Sequence, residues 1–259
     1  MKSSRMVGRS FGFILAGAIV FLGVAQSARA QSTIFNIPST DTVDKGKGYF
    51  EIDLLPQLPG PDKGASTMIF NPRLVVGTPN NMEIGFNIPI IHNSDASPTS
   101  LAYFQPDIKW KFYKNDDMGL AASAGAVVNI PMNSRDGQLS WAYFYGNVSK
   151  KVGKDGPRFT GGVYGVAGKE NDPKAVGFYG PRGGVLLGYE QPLGGPVSFV
   201  ADWFSGQNNL GYFTPGVSIT LPHSGLLNIG YEIGNDSWGS GSAAPKDKFA
   251  FVYYGITFP

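Results

Sequence analysis

"FQPDIKWKFYK", Phe104 to Lys114, is the stretch on which the fold turns. Only 15% of the chain is charged, yet Asp107, Lys109 and Lys111 fall on every second position, with Pro106, Ile108, Trp110 and Phe112 between them. Side chains alternate faces along a strand. Asp107, Lys109, Lys111 and Tyr113 are therefore expected on one side, and Phe104, Ile108, Trp110 and Phe112 on the other. One face suits water and the other hydrocarbon. A single run of this kind also fits a half-buried strand of a soluble sheet, so its repetition along the chain carries the weight.

The pattern repeats. Period-2 reading predicts about twelve strands, at 48–55, 67–78, 82–91, 101–113, 118–130, 140–151, 158–168, 180–191, 197–204, 212–221, 226–235 and 248–258. One face of each is apolar, as in Phe50, Ile52 and Leu54, in Ile84, Phe86, Ile88 and Ile90, or in Phe213, Val217 and Ile219. Twelve charged residues in strand interiors take the opposite phase: Glu51, Asp53, Arg73, Glu83, Asp107, Lys109, Lys111, Arg158, Arg182, Glu190, Asp202 and Glu232. Lys150 and Lys248 share the apolar phase, at strand ends where a long side chain can reach back to water.

The connections sort by length. Short ones at 79–81, 114–117, 152–157, 192–196 and 222–225 alternate with longer ones at 56–66, 92–100, 131–139, 169–179, 205–211 and 236–247. Short turns at one rim and long loops at the other are the habit of a transmembrane antiparallel barrel, with both termini on the periplasmic, short-turn side. A soluble sandwich would alternate its strands in the same way but has no reason to sort its loops. In lipid an unpaired strand edge costs several kcal/mol per group, so the first strand must close on the last. The expected fold is an all-β, up-and-down antiparallel transmembrane barrel, closed by pairing of the first and last strands. Phe104–Lys114 then points its charges into the lumen and its rings at lipid, with Trp110 and Phe112 near the periplasmic aromatic girdle.

The N-terminal residues fit this destination. Lys2, Arg5 and Arg9 precede the apolar run Phe11–Ala25 and the Ala28-Arg29-Ala30 motif, which reads as a secretory signal peptide over 1–30. Residues 31–47 are expected as a periplasmic N-terminal segment and 48–259 as the barrel in the outer membrane of a Gram-negative-type bacterium. The chain has no Cys, so neither a disulfide nor a lipidated cysteine is available. Loss of Lys2, Arg5, Arg9 and Arg29 from the 21 basic residues leaves 17 against 19 acidic ones, which excludes the footprint of a nucleic-acid binder. Gly (36 residues) and aromatics (13%) are plentiful, as many strands and turns require. The alternate residues Ala250, Val252, Tyr254, Ile256 and Phe258 resemble the aromatic-ended last-strand signal of outer-membrane proteins. That signal implies the assembly machinery as a partner, although Pro259 follows the aromatic here.

Three hairpins, "NPRLVVGTPNNMEIGFNIPI" (71–90), "PDIKWKFYKNDDMGLAASAGAVVNIPM" (106–132) and "TPGVSITLPHSGLLNIGYEIG" (214–234), resemble the outer-membrane transporter barrels associated with the meta-cleavage pathway of phenol degradation. Each is strand, short polar turn, strand, and the first two strand pairs end on Ile-Pro. Where that family usually has Gly-Asp, this chain has Gln105-Pro106-Asp107. The resemblance implies passage of small, aromatic or hydrophobic molecules and carries no binding residues with it.

The expected function is accordingly a channel or transporter-like barrel that works without covalent chemistry or cofactor, with outer-membrane lipid and small solutes as its partners. The twelve inward charges are candidates for a selectivity lining, or for acid-base pairs that fill a narrow barrel. A structural or adhesive barrel with a plugged lumen is the second reading. A third is an acyl hydrolase at the membrane surface, using His92 as base and Ser94 as nucleophile on one strand face. His223 in Pro222-His223-Ser224-Gly225 reads as a turn residue. Two His without Cys form no transition-metal cluster, and no phosphate-loop or nucleophile-elbow motif occurs.

Overall fold

Alternation builds strands at the expected places. The computed structural model describes residues 32–59, 66–94, 100–132, 139–168, 177–235 and 248–259; residues 1–31, including the segment expected as a signal peptide, and the inner parts of several long connections lie outside them. The strands are β1 (Gly48–Pro56), β2 (Thr67–Thr78), β3 (Met82–Asn87), β4 (Ile90–Asn93), β5 (Ser100–Asn115), β6 (Leu120–Pro131), β7 (Trp141–Lys151), β8 (Arg158–Gly168), β9 (Gly183–Gly194), β10 (Val197–Phe204), β11 (Tyr212–Leu221), β12 (Gly225–Gly234) and β13 (Lys248–Phe258).

Thirteen segments make twelve staves. β3 and β4 are one strand interrupted at Ile88-Pro89, and a single register against β2 runs through the gap, Arg73↔Asn87 before it and Phe70↔Ile90 after it. Proline has no N–H to give the ladder, so pairing lapses there without a slip. Every neighbour is antiparallel, and β1 pairs with β13 from Gly48↔Phe258 to Leu54↔Val252, which closes the barrel. Among the described residues no strand edge remains. Short turns and long connections alternate between the two rims. In the short ones the chain reverses through left-handed residues, Asn80 and Asn81 (φ 63 and 57) and His223 and Ser224 (φ 58 and 59). Asparagine tolerates that region better than most residues. His223 is a turn residue.

The outer face is apolar. Phe50, Ile84, Ile108, Phe144, Val148, Leu187 and Ile229 stand exposed there, and Val163 at the middle of β8 is 62% exposed. Trp110, 50% exposed, lies outside as its phase demands. Tyr113 does not keep the side its position in the alternation assigns to it. Register against β6 shifts between Trp110↔Ala124 and Tyr113↔Ala122, a bulge that sets Lys111 and Phe112 against Ser123 alone. One extra residue reverses the facing of the positions beyond it, so Tyr113 joins Phe112 outside, 45% exposed.

The inner face carries the buried side chains, and they are of two kinds. Carboxylates, amides and two long bases cluster on β1, β2, β3, β5 and β6. Rings and aliphatics, among them Tyr145, Tyr164, Leu186, Phe204, Phe249, Phe251 and Tyr253, pack together from β7 through β13. The inner face is thus polar over one part of the barrel and apolar over the other. Phe251 and Tyr253 stack at 4.4 Å between centroids, and Tyr164 meets Phe204 edge-on at 5.3 Å. Such pairs add to simple burial.

Candidate functional site: the occupied lumen

Residues 32–43 precede the first strand and belong to the stretch 31–47 expected as a periplasmic N-terminal segment. They are instead folded inside the barrel. Ile34 N–H bonds to Ile37 O at 2.9 Å, Ser39 N–H to Ser32 O at 3.1 Å, and Thr33 faces Pro38 in an antiparallel bridge. The result is a tight loop whose tip, Ile34 to Ile37, crosses to the far wall. Ile34, Phe35 and Ile37 belong to the same apolar cluster as Leu186, Val200 and Phe251, and Phe35 meets Phe251 at 4.8 Å. A segment with three large apolar side chains gains roughly 1.5–3 kcal/mol for each one buried, and this lumen is where they are buried.

Two glycines leave the room. A Cβ on Gly188 would stand 2.4 Å from Ile34 Cδ1, and one on Gly77 would stand 2.1 Å from Asp44 O. The first lies under the loop's tip and the second at its exit to β1, so each permits a backbone approach that a side chain would block.

Polar wall residues then bind the loop along its length. Asp202 Oδ2 accepts the backbone N–H groups of Phe35 and Asn36 at 2.7 Å and of Ile37 at 3.0 Å. Asn36 donates to Thr214 Oγ1 and Glu232 Oε1. Arg73 donates to Thr33 Oγ1 at 2.8 Å and Ser32 Oγ at 2.9 Å, and Lys109 donates to Ser32 O at 2.6 Å. Glu83 accepts from Ser32 Oγ and, through its other oxygen, from Val43 N–H at 2.8 Å. Asn147 donates to Pro38 O, Thr40 meets Ser149, and Arg158 pairs with Asp41.

The twelve inward charges therefore divide. Arg73, Glu83, Lys109, Arg158, Asp202 and Glu232 touch the loop. Glu51 stands 3.6 Å from Arg73 and accepts Tyr49 O–H, while Glu190 takes the other edge of Arg158 at 2.5 and 2.7 Å. Asp53 and Asp107 line a space beyond the loop. Lys111 is half-buried on the inner wall of β5. Arg182 falls one residue before β9, half-buried at its long-loop end. His92 is exposed on β4, and its Nδ1 lies 2.9 Å from Ser100 Oγ on β5.

Between the loop and the long-loop rim a cavity of about 380 Å³ remains. Asn71, Asn87, Gln105 and Asn129 line it from β2 to β6 and Trp141, Tyr143, Phe204 and Tyr212 from β7 to β11, the two sets meeting where Asn129 pairs with Trp141. Sequence reasoning missed the loop and the ring wall. Their signal was present in "WAYFYGNV" and "KFAFVYY", where both phases are aromatic or apolar, a pattern that a purely polar lumen would not need. A second, larger concavity of about 1050 Å³ is apolar and opens on the outer face among Phe159, Tyr189 and Trp203.

Fold and site together define a class: small closed antiparallel barrels with an apolar exterior and a lumen occupied by their own chain. Among solved structures the chain is similar to an outer membrane channel from Pseudomonas putida F1, with 13% identity and a TM-score of 0.57, over 83% of this chain and 96% of that one. A variant of the Rh. blastica porin aligns over 82% of this chain and 99% of its own at 9% identity, with a TM-score of 0.35. The first likeness is one of fold. No family model matches the chain, and no curated protein does.

Proposed function

We propose that the protein is an outer-membrane channel for small molecules, with the loop of residues 32–43 as a displaceable obstruction. The observation behind this reading is the way the loop is held. It crosses a closed barrel with no covalent tie to the wall, held by hydrogen bonds, ion pairs and the burial of Ile34, Phe35 and Ile37, with a cavity beyond it. The apolar outer face suits hydrocarbon, which a closed barrel can cross because every backbone group finds a partner within the sheet. Pairing of β1 with β13, with Phe258 next to Gly48, suits assembly of the last strand into a membrane. The long connections face outward from the cell in this reading, and the solutes extend to the small aromatic molecules that the family resemblance implies.

The test is a disulfide that the chain does not naturally contain. Thr40 Oγ1 and Ser149 Oγ lie 2.5 Å apart, so Thr40→Cys/Ser149→Cys places two sulfurs in reach of each other. Single-channel recording and liposome swelling should show a larger conductance after reduction than after oxidation, and a larger one still when residues 32–43 are deleted. A second reading, a structural barrel that its own chain plugs permanently, rests on the same loop. It predicts no current in any of these states.

A further inference from the structure

The cavity beyond the loop has two unlike walls, and the polar one is short of donors. Asn71 Nδ2 donates to Asp53 Oδ2 at 2.7 Å, leaving Asp53 Oδ1 and Asn71 Oδ1 without protein partners. Asn87 donates to Gln105 and Gln105 to Asn129, which leaves Asn87 Oδ1 unsatisfied. Asp107 Oδ2 is unsatisfied too. Four acceptors thus face two unpartnered donors, Arg73 Nε and Asn129 Nδ2. Asp53, 7% exposed, is a deeply buried carboxylate with an open oxygen.

Charge points the same way. Glu51, Asp53, Asp107 and Glu232 all line the cavity, and Arg73 is the one base among its described lining residues. That guanidinium is committed to Glu51 and to the loop. Among the described residues, Asp53, Asp107 and Glu232 have no base within ion-pair distance. Two strands from Asp107 in the same row, Tyr143 meets Phe204 edge-on at 6.0 Å and Trp141 at 6.4 Å, a wall of ring faces and edges.

We infer that this cavity is a binding site for a small aromatic molecule bearing a primary ammonium group, the ring against Tyr143 and Phe204 and the ammonium on Asp107, which shares a row of the sheet with Tyr143 through Val127. An ammonium group offers three donors and no acceptor, which answers the imbalance; a carboxylate in its place would add acceptors and repulsion. The ring wall supplies apolar area and attracts cations to its faces. About 380 Å³ is room for a one-ring molecule with a short chain. The inference rests on the channel reading for its biological sense, and it names the solute class of that channel.

Binding can be measured apart from transport. Calorimetry on the detergent-solubilised protein would compare 2-phenylethylammonium, 2-phenylethanol and phenylacetate, with the heat-modifiable folded band as the control for structure. The ammonium compound should bind tightest and phenylacetate not at all. In Asp107→Asn, which keeps side-chain shape, the preference for ammonium over alcohol should fall about tenfold. Tyr143→Ala should weaken the ammonium compound and the alcohol alike. Phenylacetate binding as well as the amine, or a preference untouched by the Asp variant, would overturn the inference. Solute flux without amine binding would leave the channel standing and remove this site. Amine binding without flux in any state of the loop would keep the site and remove the channel.

Discussion

Lys109 Nζ lies 2.9 Å from Glu83 Oε1, and the two residues face each other in the β3–β5 register. Both are buried, and Ser32 of the inner loop bonds to both. The pair therefore supports wall and loop together. Removing one partner of such a pair leaves a buried charge, at a cost of about 3–5 kcal/mol. Lys109→Gln should lower the unfolding free energy by that amount in urea titration, and Lys109→Gln/Glu83→Gln by less than the sum of the single changes. A single variant as stable as Lys111→Gln would mean that the pair is not buried.

The loop's tip is held by Asp202 from one side and fitted over Gly188 from below. Asp202→Ala leaves three backbone N–H groups without their acceptor, and each hydrogen bond to a charged group contributes about 1.5–3 kcal/mol. Gly188→Val places a side chain where Ile34 Cδ1 now sits. Both variants should conduct more than the parent in bilayers while keeping the folded band on unheated gels. Unchanged conductance in both would detach the loop from any role in blocking current.

Facing can be tested by charge. Val163→Lys, at the middle of the outer face of β8, should cost roughly 2–4 kcal/mol of folding stability in lipid, whereas Asn87→Lys on the inner face should cost less, with acceptors such as Asp107 Oδ2 within the same cavity. Equal refolding yields and equal midpoints in phospholipid vesicles would contradict the assignment of faces.

Near the closing seam, Tyr49 stands over Gly255 and donates to Glu51 at 2.5 Å. A Cβ on Gly255 would lie 2.1 Å from the Tyr49 hydroxyl. Gly255→Ala should therefore destabilise by about 1–3 kcal/mol through overpacking. Adding Tyr49→Val should recover part of that loss, because the ring that causes the clash is gone. The melting point of the folded band reports both.

The orientation of the barrel follows from its connections. An epitope inserted between Asn235 and Lys248 should be reached by antibody on intact cells, and one inserted at Asp116 in the short turn after β5 should not. Labelling of the second alone would invert the barrel.

Period 2 was enough to place twelve staves and to tell their faces, because a residue's side of a sheet depends only on its place in its own strand. Glu51, Glu83, Lys109 and Asp202 could be assigned inward from local sequence for that reason. Local reasoning failed wherever the count was disturbed. The bulge opposite Ser123 turned Tyr113 outward, and Pro89 split the third strand without changing its register. Neither outcome can be read from alternation, since a bulge depends on the partner strand and a proline break can either slip or hold.

The filling of the lumen was decided by the tertiary structure alone. Ile34, Phe35 and Ile37 announce an apolar tip, but its resting place depends on Gly188, Asp202 and Phe251, which lie far along the chain and converge only when the barrel closes. The same holds for the acceptors left open on Asp53 and Asp107, whose lack of partners comes from the neighbours that the closed sheet sets beside them. Sequence by itself determined a closed barrel with an apolar exterior, because periodicity and turn length are local quantities. The occupied lumen and its two-walled cavity were decided by packing, because they arise from contacts between strands that share no neighbourhood in the chain.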